Sequence, residues 1–208
     1  MTTALILLII ALILFLIFKH KKKPKSIAVR RLHNKNNTDW LVLDTETTGI
    51  SKASEIIEIA VSSAEGELIY HSYVLPKGRI PSEATAIHGI TRKKIKDAPI
   101  WPEVQAQLSK VLEGRLVYCY NAEFDMRLMK QSAKKWGIEP LNIQAECAML
   151  VYAELRGEKH PYRPGEYKWH KLTKACRYEG LAIDNAHSAL GDARMTANLL
   201  RYSIAKYC

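Results

Sequence analysis

Three short stretches hold the side chains that could do chemistry. "LVLDTETTGI" (41–50) ends an apolar run with Asp44 and Glu46, two residues apart in number. "NAEFD" (121–125) supplies Asn121 and Asp125, and "HSALGD" (187–192) supplies His187 and Asp192. On an extended segment, residues i and i+2 point to the same face, so Asp44 and Glu46 sit side by side. Carboxylates held that close repel, and one keeps its proton unless a cation lies between them. A hard divalent ion is the natural occupant, and Mg²⁺ takes a few carboxylates plus water. On a helix, five residues span a rotation of about 140°, so His187 and Asp192 cannot share one helical face. If both serve one site, His187 lies in the loop before the helix, where it suits a general base. Singly, each residue also has an ordinary reading: a turn cap, an early-helix acid favoured by the helix dipole, an exposed helix acid, a loop histidine.

The elements that would position these groups follow from hydrophobic spacing and turn chemistry. "WLVL" (40–43) reads as a buried strand. "EIIEIAVSS" (55–63) and "ELIYHSYVL" (67–75) read as a hairpin turning near Gly66. Residues 79–91 read as a turn-rich loop. Helical spacing covers 102–114, 122–137, 147–155, 170–180 and about 188–207, with Gly114, Gly137 and Gly180 as stops. "RLVYCY" (115–120) is a further strand. A meander of strands followed by alternating strands and helices predicts an α/β fold with a mixed sheet flanked by helices.

The chain has 208 residues, 48% hydrophobic and 25% charged, enough for one domain with a real core. Its formal charge of +10 is uneven. Residues 1–39 hold eight basic residues and one acid, leaving 23 basic and 20 acidic residues, a net of +3, for 40–208. The high pI is therefore a weak argument for nucleic-acid binding. Cys119, Cys147, Cys176 and Cys208 have no CxxC spacing, which argues against a zinc or thioredoxin-like site.

Residues 4–18 are wholly apolar, and "KHKKKPK" (19–25) follows at once. Eighteen helical residues span about 27 Å, near the roughly 30 Å of bilayer hydrocarbon. The order of charge and apolar run is opposite to that of a signal peptide. The expectation is a single-pass transmembrane anchor over 1–18, a basic linker over 19–38 and a folded domain over 39–208 in the cytoplasm, with Lys19–Lys25 meeting anionic membrane lipid.

Together, and in this order, "DTETTG" (44–49), "NAEFD" (121–125) and "HSALGD" (187–192) resemble the three motifs of the DEDDh, or DnaQ-like, 3′–5′ exonuclease family, which includes polymerase proofreading subunits. "PSEATAIHGIT" (81–91) resembles the family's nucleotide-contacting loop. The resemblance covers essentially residues 40–202 and implies a ribonuclease H-like fold. It implies that Asp44, Glu46 and Asp192 bind one Mg²⁺ or Mn²⁺, and that Asp44 with Asp125 through water holds a second. It implies His187 as the base that activates water, with release of 5′-nucleoside monophosphates from a free 3′ end. Thr47, Thr48, Gly49, Asn121, His88 and Glu83 would contact the nucleotide. Tyr120 is a departure, since the family often has histidine before the asparagine. The apolar N-terminus is another.

"KHPYRPGEYKWHK" (159–171) mixes cations with aromatic rings, as a single-strand groove does. An ordinary surface loop reads the same way. DNA is the expected substrate, with an RNA-trimming enzyme of the same fold as the alternative. Two readings of other classes compete: a nucleic-acid-binding module without catalysis, and a module that recruits a polymerase.

Overall fold

The computed structural model describes Ser26, Val29, Arg30, Leu32 and residues 39–208. Five strands form one sheet: β1 (Trp40–Thr47), β2 (Ile56–Ser63), β3 (Leu68–Tyr73), β4 (Leu116–Cys119) and β5 (Gln144–Cys147). Within residues 39–208 the helices are, in chain order, α1 (Ser82–His88), α2 (Trp101–Leu112), α3 (Ala122–Trp136), α4 (Ala148–Arg156), α5 (Leu172–Tyr178) and α6 (Ala189–Tyr207). The sheet order is β3-β2-β1-β4-β5. β1 is antiparallel to β2 and parallel to β4, so the sheet is mixed, as expected. The hairpin turn sits where Gly66 placed it, closed by the Gly66 N–H donating to the Ser63 carbonyl at 3.0 Å.

The period of two along β1 sorts its side chains between two layers. Leu41 and Leu43 face α2 and α3, in a core with Val104, Leu108, Leu128 and Met129. Trp40 and Val42 face the other way, toward Ala193, Ala197 and Leu200 of α6. Asp44 and Glu46 continue this second column. Small residues at Ala189, Ala193 and Ala197 recur every turn and let α6 lie close on the sheet. The carboxylates therefore end a column of core side chains, directed at the helix that carries Asp192.

Two features differ from expectation. The 79–91 segment contains α1, seven residues long, bounded by Pro81 and by Gly89 in the left-handed conformation. Residues upstream of Asp39 are not all tether: Val29 and Leu32 are buried against Trp40, Val42, Leu116 and Tyr118. Ser26 opens this helical stretch by accepting from the Val29 N–H (3.3 Å), and its own N–H donates to Glu154 (2.7 Å). Among the described residues no helix is long and apolar enough to cross a membrane, and the expected anchor over 1–18 lies outside them.

Candidate active site

Four acids and a histidine come together at the C-terminal end of β1. Asp44, Glu46 and Asp192 each offer a carboxylate oxygen within 4.8 Å of the others. Asp125 lies behind them, 2% exposed, held by the Thr45 hydroxyl at 2.8 Å. Thr45 points to the α3 side of β1, so Asp125 reaches the cluster from the opposite layer to Asp192. It can do so because β4 stops at Cys119 and α3 begins three residues later. Asn121 makes that sharp entry with φ 74°, a left-handed conformation asparagine tolerates better than most residues.

His187 lies in the loop before α6, as the rotation argument requires. Ser188 caps the helix, accepting from the Gly191 N–H at 3.2 Å and donating to the Asn185 carbonyl at 2.9 Å. The His187 N–H donates to the Asp192 carboxylate at 3.2 Å, so loop and metal-type acid are tied together. The His187 ring is exposed and its backbone is left-handed, with φ 66°. Gly191 is required by a close approach: any Cβ there would collide with the Asn185 carbonyl.

Burial first, then mutual repulsion, pushes the acids up. Asp44 lies well above the usual carboxylate range, raised by burial and then by Asp125, Asp192, Glu46 and Glu58. Glu46 is raised to about 8 by burial and then by Asp192, Glu58 and Asp125. Burial likewise raises Asp125 to about 7, against the lowering bond from Thr45. Asp192 is raised by burial, with the His187 N–H opposing. No Lys or Arg forms an ion pair with these four among the described residues. An acceptor-only cluster of this kind fits a divalent cation with oxygen ligands.

The remaining expected residues divide. The Thr47 hydroxyl donates to the Gly49 carbonyl (2.7 Å) and accepts from its N–H (3.2 Å). The Thr48 hydroxyl accepts from the Glu55 N–H at 3.0 Å. Both hydroxyls thus shape the turn after β1 rather than face outward. His88 faces Thr47, Glu58 and His187 across the site. Its Nδ1 accepts from the Ile90 N–H at 3.0 Å, so the neutral ring carries its proton on Nε2. That Nε2 is buried and directed at the Thr47 backbone, on the floor of the cleft. Burial lowers its pKa and keeps the ring neutral. Glu83 is exposed on α1 and accepts from the Ser82 hydroxyl at 3.2 Å.

Glu58 was not foreseen. It stands opposite Glu46 on β2, accepts from the Ala189 N–H at 3.1 Å, and is bonded to His71 Nε2 at 2.8 Å. Burial pushes its pKa up, but these two bonds outweigh that and hold it below the usual value. Both oxygens are committed, so Glu58 positions the N-terminus of α6 rather than joining the open cluster. An acid inside the apolar run "EIIEIAV" was the available signal. The exposed Ile50 (82%) and Ile87 (61%), beside Gly49 and His88, were also missed.

A mixed sheet whose central strand delivers paired acids to a third from a covering helix is the arrangement expected from the ribonuclease H-like resemblance. Residues 41–200 match the family model described as Exonuclease (RNase_T), and the chain belongs to this family. It is 41% identical over 169 residues to the uncharacterized exonuclease CP81 of Escherichia phage 186, covering 78% of this chain and 86% of that protein. It is 33% identical to the DNA polymerase III subunit epsilon of Pasteurella multocida, covering 78% of this chain and 66% of that one. Its fold is similar to Exonuclease X in complex with 5′ overhanging duplex DNA, with TM-score 0.59, 24% identity, and 80% and 91% of the two chains covered. It is also similar to the nuclease domain of 3′hExo bound to rAMP, with TM-score 0.62, 18% identity, and 79% and 92% covered. The chain is an exonuclease of the DEDDh group, a group that uses divalent metal ions and acts on nucleic-acid 3′ ends.

These findings correct the expected placement at the cytoplasmic membrane. The matched relatives bear the names of exonucleases and polymerase subunits. No described helix can cross a bilayer. Eighteen residues, about 27 Å, stand at the short end of what a bilayer needs, so apolarity over that length permits a span without requiring one. Lipid binding by Lys19–Lys25 rested on the same placement, outside the described residues.

Proposed function

We propose that the protein is a two-metal 3′–5′ exonuclease that releases 5′-nucleoside monophosphates from single-stranded DNA. The observation that carries this reading is the convergence of Asp44, Glu46 and Asp192, with Asp125 behind them and His187 on the adjoining loop. Asp44, Glu46 and Asp192 would hold one Mg²⁺ or Mn²⁺, and Asp44 with Asp125 the other. When bound, such ions neutralise charge on the attacking and leaving oxygens of an in-line displacement. His187 takes the proton of the attacking water, and its exposed ring can swing to meet it. The bond between phosphorus and the 3′ oxygen of the shortened strand breaks, and that oxygen leaves.

The His88 ring lines the terminal nucleotide from the α1 side, while the backbone of 47–49 lines the other. Ile50 and Ile87 offer apolar surface to its base. Glu58 keeps α6 seated so that Asp192 and His187 stay in register. DNA is favoured because the epsilon relative is named as a subunit of DNA polymerase III; the rAMP complex of a fold neighbour keeps RNA as the second reading. A polymerase partner is proposed from the epsilon relative alone.

The test uses the full chain with 5′-labelled single-stranded DNA and RNA of one sequence, in Mg²⁺, Mn²⁺ or EDTA. The expected result is a ladder shortening from the 3′ end, faster on DNA, absent in EDTA and absent for His187→Ala. Internal cuts, or shortening that survives EDTA, would overturn the reading.

A further inference from the structure

The segment between α4 and α5 is built, not slack. Lys159 and Tyr167 form an antiparallel bridge. The His160 N–H donates to the Glu166 carbonyl (3.0 Å), the Lys168 N–H to the Glu158 carbonyl (2.8 Å), and the Glu166 N–H to the Arg163 carbonyl (3.2 Å). Residues 158–168 are thus a small hairpin with a tip at 161–165.

Its root is fixed beside the acids. The Tyr120 hydroxyl donates to the His170 carbonyl at 2.6 Å, and the buried His170 ring is bonded to Glu158 at 3.1 Å. β1 and β4 run parallel with Val42 opposite Tyr118. Tyr120 follows β4 directly, at the same end of the sheet at which Asp44 ends its column on the neighbouring β1. This gives the departure at Tyr120 a use: a phenol there can hold the hairpin. The cleft then has α1 on its β2 side and the hairpin on its β4 side.

Charge and exposure say what the hairpin meets. Residues 156–177 hold seven basic and two acidic residues, a net of +5, whereas the rest of 40–208 has 16 basic and 18 acidic, a net of −2. The positive excess of the domain is concentrated in these 22 residues. Among them Tyr162 is 88% exposed and Trp169 48% exposed. Aromatic faces left in water among cations suit a single strand, whose bases stack and whose phosphates pair with Lys and Arg.

We propose that the hairpin and Trp169 form a platform for single-stranded nucleic acid on the 5′ side of the terminal nucleotide. Tyr162 and Trp169 stack on its bases, and Arg163 and Lys171 meet its phosphates. The inference rests on the exonuclease reading for its direction, but binding can be read without catalysis.

The experiment measures anisotropy of a labelled (dT)20 with the full chain in EDTA, for wild type, Tyr162→Ala and Trp169→Ala. Each variant is expected to bind about tenfold more weakly. In Mg²⁺, KM for (dT)20 rises by a similar factor, kcat is unchanged, and kcat/KM for a thymidine dinucleotide is unchanged. Tyr162 is exposed and meets only the His160 ring, edge-on at 6.4 Å, so its removal leaves the core untouched. Unchanged (dT)20 affinity in Tyr162→Ala, or an equal loss on the dinucleotide, would overturn the platform. Variant-sensitive binding by a chain that cuts nothing would uphold the platform and sink the exonuclease reading instead.

Discussion

Two groups of carboxylates in this molecule have the same chemistry and opposite surroundings. Asp44, Glu46, Asp125 and Asp192 are gathered with no lysine or arginine partner, and all four are pushed upward. Glu158 and Glu179, around the C-terminal end of α4, are wrapped in donors. Glu179 accepts from Tyr152 (2.7 Å), Lys206 (2.8 Å), Tyr207 (2.9 Å) and Arg156 (3.2 Å). Burial pushes its pKa up, but Lys206 and the tyrosines hold it below the usual range. Lys168, against slight burial and with His170 and Arg156, holds Glu158 at about 2. The second group is complete and ties α4, α5 and α6 together. The first has no such donors from the described Lys and Arg side chains, and its oxygens suit a divalent cation. Its repulsion is a cost the fold bears to keep a cation site open.

Substitutions should separate the two groups, because one governs activity and the other stability. The largest effect belongs to Asp44→Asn, which should lower kcat on a labelled strand by roughly 10³-fold or more, at least the loss expected for a general base such as His187. Its metal-free thermal midpoint should not fall. Glu179→Ala should do the reverse, costing about 2 kcal/mol in urea unfolding by leaving the buried Tyr152 hydroxyl without its acceptor, with kcat little changed. Glu58→Gln should sit between, lowering kcat by about 10- to 100-fold through a misplaced α6, while KM for a long strand holds.

A smaller effect concerns pH. Glu46 has a folded pKa of about 8, above its unfolded value, so the folded state holds the extra proton. Its contribution to stability is full below the unfolded pKa and is lost as pH rises toward 8. Glu46→Gln should therefore match wild type near pH 4 and become progressively more stable than metal-free wild type up to pH 8, by roughly 5 °C in Tm. A variant that gains nothing across that window would show that the cluster is not under electrostatic strain.

The sequence made the acids legible because strand period and helix rotation are local. Asp44 with Glu46, and His187 placed outside α6, followed from geometry within a few residues. What it concealed depends on contacts between distant segments. Glu58 reads as an anomaly in an apolar strand until Ala189, 131 residues away, is seen against it. Tyr120 reads as a departure until His170 is placed on it. Thr47 and Thr48 resembled substrate ligands, but their hydroxyls are spent within the turn. The helix at Ser82–His88 escaped notice because seven residues show little periodicity, although Pro81 and Gly89 mark its ends. β5, four residues long, was too short to read.

The central claim is that Asp44, Glu46 and Asp192 form a cation site, and thermal unfolding with and without Mn²⁺ tests it most directly. Metal binding must displace the protons these acids hold, so the stabilisation should grow from pH 6 to pH 8. Wild type should gain several degrees at pH 8 and less at pH 6, and Asp44→Asn should gain almost nothing at either. Equal gains in wild type and Asp44→Asn would place the metal elsewhere and contradict the account.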